Sequence, residues 1–203
     1  MILDPIELTH KDNYKLMIGS IVPRPIAFVS TVSRAGISNL APFSFFNGVC
    51  SNPPTVAFAP VRRSSDGKQK DTLVNIRETG EFVINIPGED ILTELVETAR
   101  EFPPEINEFE AAGLTPIPSL KIGAPRVDEA KISMECTLQQ IIEIGDGSAG
   151  SGFLVLGTIV TYHIADEIYD QGRILLEKLR PVGRLAGNGY CRVTDTFEKV
   201  RNK

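Results

Sequence analysis

The sequence predicts a mainly β protein with peripheral helices, and three observations carry that expectation. Two long apolar segments, residues 131–143 and 152–165, lie next to each other with only the loose turn Gly145-Asp146-Gly147-Ser148-Ala149-Gly150 between them. Earlier, Ile26–Val32 and Ile37–Ser44 flank the turn residues Arg34-Ala35-Gly36 and read as a hairpin. Neither a G-x-G-x-x-G after a strand nor a G-x-x-x-x-G-K-[ST] is present. Long neighbouring strands with little helix between them favour an antiparallel barrel over a Rossmann sheet.

Each element has its local reason. Ile26–Val32 is β-branched, and Pro23 and Pro25 mark its entry. Asn52-Pro53-Pro54 breaks the chain before a short buried strand, Thr55–Ala59. Arg62–Gln69 is polar around Ser64-Ser65-Asp66-Gly67 and reads as a loop. Asp71 is placed to cap a helix over Thr72–Arg77 that stops near Gly80, with Leu73 and Ile76 as its apolar stripe. Glu81–Ile86 returns to strand, and Pro87-Gly88 ends it. Ile91–Arg100 reads as helix, and the Pro-rich acidic stretch Phe102–Glu110 as a surface excursion. In 131–143, Ile132, Met134, Cys136 and Leu138 share one face by period two.

Composition sets the class. A chain of 203 residues, 42% hydrophobic and 23% charged, supports one domain over its whole length without disulfide or metal. The net charge of −5, with Arg62-Arg63 as the one adjacent basic pair considered, excludes a nucleic-acid surface. No secretion signal is read at Met1-Ile2-Leu3-Asp4-Pro5, and no apolar run approaches the roughly 20 residues of a spanning helix. The expectation is a cytoplasmic protein without a membrane partner. Cys50, Cys136 and Cys191 are too far apart for a disulfide framework or zinc site. Cys136 reads as a small buried hydrophobe, and Cys50 falls in a Gly/Asn/Ser loop.

Catalytic constellations of side chains are missing. His10 sits near the N-terminus and His163 inside an apolar strand, where it reads as a satisfied core or interface histidine. No G-x-S-x-G elbow and no metal-ligand spacing occur. The first half instead gathers hydroxyls, amides and backbone. Ser30-Thr31 ends a strand, Asn39–Asn47 follows, and Lys70-Asp71-Thr72 opens a helix. Backbone N–H groups at a helix start, with a lysine and a threonine hydroxyl beside them, suit a phosphate. Phe45-Phe46 offers an apolar wall for a flat ring. Taken singly, these same residues read better as turn caps, core and solvated charge; their order and spacing are what mark them out.

That order resembles the flavin-reductase-like, FMN-binding split-barrel family, which includes flavoredoxin and the reductase component of nitrilotriacetate monooxygenase. The matching pieces are Gly19–Thr31, Asn39–Asn47, Asn52-Pro53-Pro54, Lys70-Asp71-Thr72 with Asn75, Gly80–Asn85, and Gly183–Gly187 with Tyr190. The resemblance implies a split β-barrel that forms a homodimer, with FMN in a groove near the subunit interface. It implies that Ser30, Thr31 and the segment Pro42-Phe43-Ser44-Phe45-Phe46-Asn47 lie along the ring and ribityl chain. It places Arg62, Lys70, Asp71 and Thr72 at the phosphate, and Arg184 and Tyr190 at the ring pocket or dimer contact. NADH or NADPH would be the co-substrate, and a monooxygenase or electron-transfer protein the partner. The implied activity is NAD(P)H-dependent flavin reduction; the alternative is an FMN-binding electron carrier or flavin store. One phosphate site and no second site for an adenylate favour FMN over FAD.

Overall fold

The computed structural model describes residues 1–200. Its centre is a seven-stranded antiparallel sheet ordered β2-β1-β5-β8-β9-β4-β3. The elements are α1 (His10–Ser20), β1 (Ala27–Val32), β2 (Ser38–Phe43), β3 (Phe46–Ser51), β4 (Pro54–Phe58), α2 (Asp71–Thr79) and β5 (Glu81–Ile86). Two short helices, α3 (Leu92–Glu97) and α4 (Glu108–Ala112), follow, then the two-residue strands β6 (Pro116–Ile117) and β7 (Arg126–Val127). The long hairpin is β8 (Ile132–Ile144) and β9 (Gly152–Ile164). The chain closes with β10 (Tyr169–Asp170), β11 (Arg173–Ile174), α5 (Leu176–Leu179), β12 (Val182–Arg184) and β13 (Tyr190–Arg192). No helix among the described residues is long and apolar enough to cross a membrane.

The sheet curls round one core. Val29, Phe43, Phe58, Phe82, Ile84, Phe153 and Val155, from five strands, meet inside it. Leu73 and Ile76 of α2 join them, as their spacing of three predicts. The outer strands β2 and β3 stand at opposite ends of the ladder, yet only Ser44-Phe45 separates them in sequence. The two edges are therefore brought together without pairing, which is the split in the barrel. Gly157, midway along β9, is required by packing: a Cβ there would lie 2.3 Å from Cζ of Phe82. A second apolar layer covers the outside of β1 and β2, where Phe28 and Leu40 pack against Leu95, Phe109 and Leu114.

Four expectations need correction. Phe46–Ser51 is a strand, although Asn47, Gly48 and Ser51 lack β-propensity. It pairs only with β4 and is largely exposed, so no hydrophobic pattern marks it. The segment 102–110 is not wholly superficial: it enters α4, where Phe109 is fully buried and Glu108 nearly so. Asp71 is the first residue of α2, with Lys70 at the cap position, and its carboxylate is turned to Arg63. The helix read over Ile91–Arg100 is shorter, Leu92–Glu97, entered by a 3-10 turn at Glu89–Ile91. His10 opens α1, a helix too weakly amphipathic to be read from its sequence. Cys136 is buried, as expected, and Cys50 is exposed on β3.

Candidate functional site: a polar cleft at the start of helix α2

The first turn of α2 faces a cleft open to solvent. Its walls are Asn39, Ala41 and Pro42 of β2, Lys70-Asp71-Thr72, and the segments 98–102 and Glu108 across from them. A second hollow shares Asn39, Asp71 and Glu108 with it and continues past Ile37, Val74 and Ile106.

The floor is one hydrogen-bonded network. Glu108 accepts from Asn39 Nδ2 at 2.7 Å and from the Leu40 amide at 3.2 Å. The Thr72 hydroxyl donates to Asn39 Oδ1 at 2.7 Å, and that of Thr31 does so at 3.3 Å. Asn75 Nδ2 donates to Thr31 Oγ1 at 3.0 Å. Five buried polar side chains from β1, β2, α2 and α4 thus fix one another, and this holds the first turn of α2 against β2. Burial pushes the Glu108 carboxyl above its ordinary value, against the lowering effect of its donors.

Lys70 differs from these neighbours. It is part-buried, and burial holds its ammonium below the ordinary lysine value. Among the described residues it makes neither a side-chain hydrogen bond nor an ion pair. Beside it, no side chain caps α2; the first bonds of the helix are the Leu73 and Val74 amides to the Lys70 carbonyl. The amides of Asp71 and Thr72 precede those bonds and point from a positive helix end. Arg63 joins the cluster, bonded to Asp71 and, at 3.4 Å, to the Phe102 carbonyl. The donor set suits an oxyanion: the Lys70 ammonium without a hydrogen-bond or ion-pair partner, the Arg63 guanidinium, and the backbone amides of the helix start.

The expected site residues separate into groups. Pro42, Lys70, Asp71 and Thr72 line the cleft. Thr31 supports it from behind, fully buried. Ser30 is also fully buried but faces away, donating to the Pro125 carbonyl at 2.5 Å and accepting from Asn85 at 3.1 Å. Phe43 lies inside the barrel against Phe58, ring centroids 5.1 Å apart, and Phe46 packs on the same core. Asn47 is exposed on β3. Arg62 turns away from Lys70: it pairs with Glu143 at 2.6 Å and lies over the Phe153 ring. Arg63, not Arg62, is the arginine that lines the cleft.

Ser44 and Phe45 form a second centre, at the split. Arg24, 3% exposed, donates to Ser44 at 3.3 Å, to the carbonyls of Ile18 and Ile21, and to that of Leu185 at 3.1 Å. One guanidinium thereby fastens α1 and the Arg184–Tyr190 segment to the split within the same chain. Arg184 lies over the Tyr190 ring at 4.5 Å and donates to the Gly189 carbonyl at 2.8 Å. Sequence reasoning missed Arg63, Glu101 and Glu108 as cleft residues. Only Glu108 had a readable signal: Asn107 caps a helix whose end is marked by Gly113.

Comparison with known proteins agrees with this architecture. Residues 18–180 match the family described as flavin reductase like domain. The crystal structure of nitrilotriacetate monooxygenase component B from Bacillus cereus is 44% identical, covers 98% of each chain and superposes with a TM-score of 0.93. The 2-nitrobenzoate 2-nitroreductase of Pseudomonas fluorescens is 34% identical, with a TM-score of 0.89 over 100% of this chain and 96% of that one. A split-barrel protein of Shewanella frigidimarina, 22% identical, has the same fold, with a TM-score of 0.83 over 100% of both chains. With the barrel, its split and the cleft on α2 all in place, the chain belongs to the flavin-reductase-like family of split-barrel proteins.

Proposed function

We propose that the protein binds FMN and acts as an NAD(P)H-dependent flavin reductase. The observation that carries the reading is Lys70: a part-buried cation without a partner beside an uncapped helix start. Burial of an ammonium is unfavourable unless something of opposite charge arrives. A terminal phosphate meets that need, with Lys70, Arg63 and the Asp71 and Thr72 amides as its donors. Ala41, Pro42 and the residues leading to Ser44 and Phe45 then lead from the phosphate toward the split, where a flat ring finds an apolar wall.

The bound flavin would supply the redox chemistry, accepting a hydride from nicotinamide. The chain's own residues bind, orient and exclude water. The network through Glu108 and Asn39 keeps the β2 backbone rigid along the cleft. No titrating side chain is required, in keeping with a sequence that offers no acid–base pair of its own.

The working unit in this reading is a homodimer. Tyr14, Met17, Ile21, Val22 and Val49 stand 45–54% exposed, and Tyr14 meets Phe45 edge-on at 6.4 Å. A second copy covering them would complete the ring pocket next to Phe45. Reduced flavin would pass to a monooxygenase or another acceptor protein, as the name of the Bacillus cereus relative, a monooxygenase component, suggests for this chain.

The test is a visible spectrum of the isolated protein, identification of the flavin released by heat, and NADH and NADPH oxidation with and without added FMN. FMN release with turnover supports the proposal. FMN release without turnover favours the carrier or flavin-store alternative. No flavin after reconstitution overturns both.

A further inference from the structure

Outside the cleft floor, the exposed rim carries a bridge whose Ser64, Ser65 and Glu101 the flavin reading does not use. Glu101 accepts from the Ser64 amide at 3.1 Å, from the Ser64 hydroxyl at 3.4 Å and from the Ser65 hydroxyl. Arg63 makes the reverse tie, donating to the Phe102 carbonyl. Two segments from opposite sides of the cleft, Arg63–Ser65 and Glu101–Phe102, are thus pinned together. Ser64, Ser65 and Glu101 are exposed, whereas Lys70 is part-buried and Thr72 is 1% exposed. Glu101 thus lines the same cleft as Lys70 and Thr72, at its exposed rim.

This inference rests on the flavin reading and goes beyond it. We propose that Glu101 is a specificity-determining residue that admits a terminal phosphate monoester, as in FMN, and rejects a pyrophosphate, as in FAD. A monoester ends at Lys70, behind the bridge. The second phosphate of a dinucleotide must continue outward through the rim, where the Ser64–Glu101 tie narrows the exit and the carboxylate repels it. The Ser65 hydroxyl and Ser64 amide hold the Glu101 carboxyl below its ordinary value, aided by Lys70 and Arg63, so it carries its charge at neutral pH. Repulsion across a solvent-exposed rim is screened by salt, whereas narrowing is not. The two contributions can therefore be separated.

The experiment titrates the full-length protein with FMN, FAD and riboflavin, each followed by flavin fluorescence, for wild type, Glu101→Gln and Glu101→Ala. In the wild type FMN binds at least about tenfold tighter than FAD. Glu101→Ala tightens FAD by about tenfold or more relative to FMN and leaves riboflavin unchanged. Glu101→Gln, which keeps the side-chain volume, gains the part that salt also removes. An FMN-to-FAD ratio that neither variant moves, with FMN still bound tightly, overturns the role of Glu101 alone. Equal shifts for all three flavins also overturn it, since they mark a merely structural bridge. A wild type that binds neither FMN nor riboflavin overturns the flavin reading as well.

Discussion

Lys70 and Glu135 are both ionisable side chains carried into the protein, and the fold treats them oppositely. Glu135, on β8, is fully buried and met by three donors: the Leu120 amide at 2.6 Å, the Lys121 amide at 2.7 Å and His163 at 2.5 Å. Burial opposes its ionisation, but the donors from Leu120, His163 and Lys121 prevail and hold it below the ordinary glutamate value. Lys70 has no hydrogen-bond or ion-pair partner among the described residues; burial lowers its value, and the charges of Glu101 and Asp71 offset that only in part. A buried charge with its full complement of partners is structure. One without them is either a defect or a place for a ligand, and the uncapped helix start beside Lys70 favours the ligand.

Removing Glu135 should break the satisfied side of this comparison with the largest effect. Glu135→Ala leaves the Leu120 and Lys121 amides without their acceptor and should cost about 3–5 kcal/mol of unfolding free energy. Denaturant unfolding measures that loss, and FMN affinity of the folded fraction should stay unchanged. An equal loss of FMN affinity would show that the two centres are not independent.

Lys70→Ala should do the reverse. Loss of a charge-assisted contact of about 1.5–3 kcal/mol weakens FMN by about ten- to a hundredfold. Riboflavin, which has no phosphate, should be indifferent, and the apo protein should lose no stability. Calorimetric titration with both ligands checks this. Equal weakening of both would move Lys70 away from the phosphate.

The two residues should also respond at opposite ends of the pH range. The depressed Lys70 value means that its burial penalty applies at lower pH and disappears as pH rises through the folded value toward 10.5. The melting-temperature advantage of Lys70→Met over wild type should therefore shrink with rising pH, while wild-type FMN affinity falls. The depressed Glu135 value means that its stabilisation is full above 4.5 and is lost as pH falls through the folded value. The deficit of Glu135→Gln should shrink in acid. Thermal melts across both windows decide the matter; deficits flat in pH would assign both residues to packing alone.

The smallest expected effect separates Arg62 from Arg63. Arg62→Ala removes a pair with the half-exposed Glu143, worth about 0–1 kcal/mol, and should change FMN affinity by less than about threefold. Arg63→Ala should weaken FMN by about tenfold. Flavin titrations of the two variants measure this, and the opposite order would restore Arg62 to the phosphate.

Much of the barrel was legible because its strands obey simple patterns. β1, β5, β8 and β9 are β-branched or alternating, and they fall within or close to the expected limits. β3 was not legible, since an edge strand with one neighbour and little burial needs no apolar pattern. The start of α2 stood out as a candidate oxyanion site because Lys70 and Thr72 lie two residues apart in sequence. The partners that complete the cleft were not. Glu101 and Glu108 reach it from residues about 30 to 70 positions distant from those they bond, and only tertiary structure records such pairs. Arg62 and Arg63 are interchangeable in composition, and only their tertiary partners, Glu143 for one and Asp71 for the other, distinguish them.

The β3–β4 hairpin also has a consequence for how the chain folds as it is made. Its one neighbour in the ladder, apart from itself, is β9. Thr55 of β4 pairs with Thr158, so the hairpin leaves the ribosome about a hundred residues before its docking strand exists. During that interval β4 has no strand to pair with along its second edge. β1, β2, β5 and α2 can assemble meanwhile, because their partners lie close in sequence. Nascent chains ending before residue 152 would carry a formed floor for the α2 cleft beside a sticky, unpaired hairpin, and closure of the barrel becomes the late, slow event of synthesis.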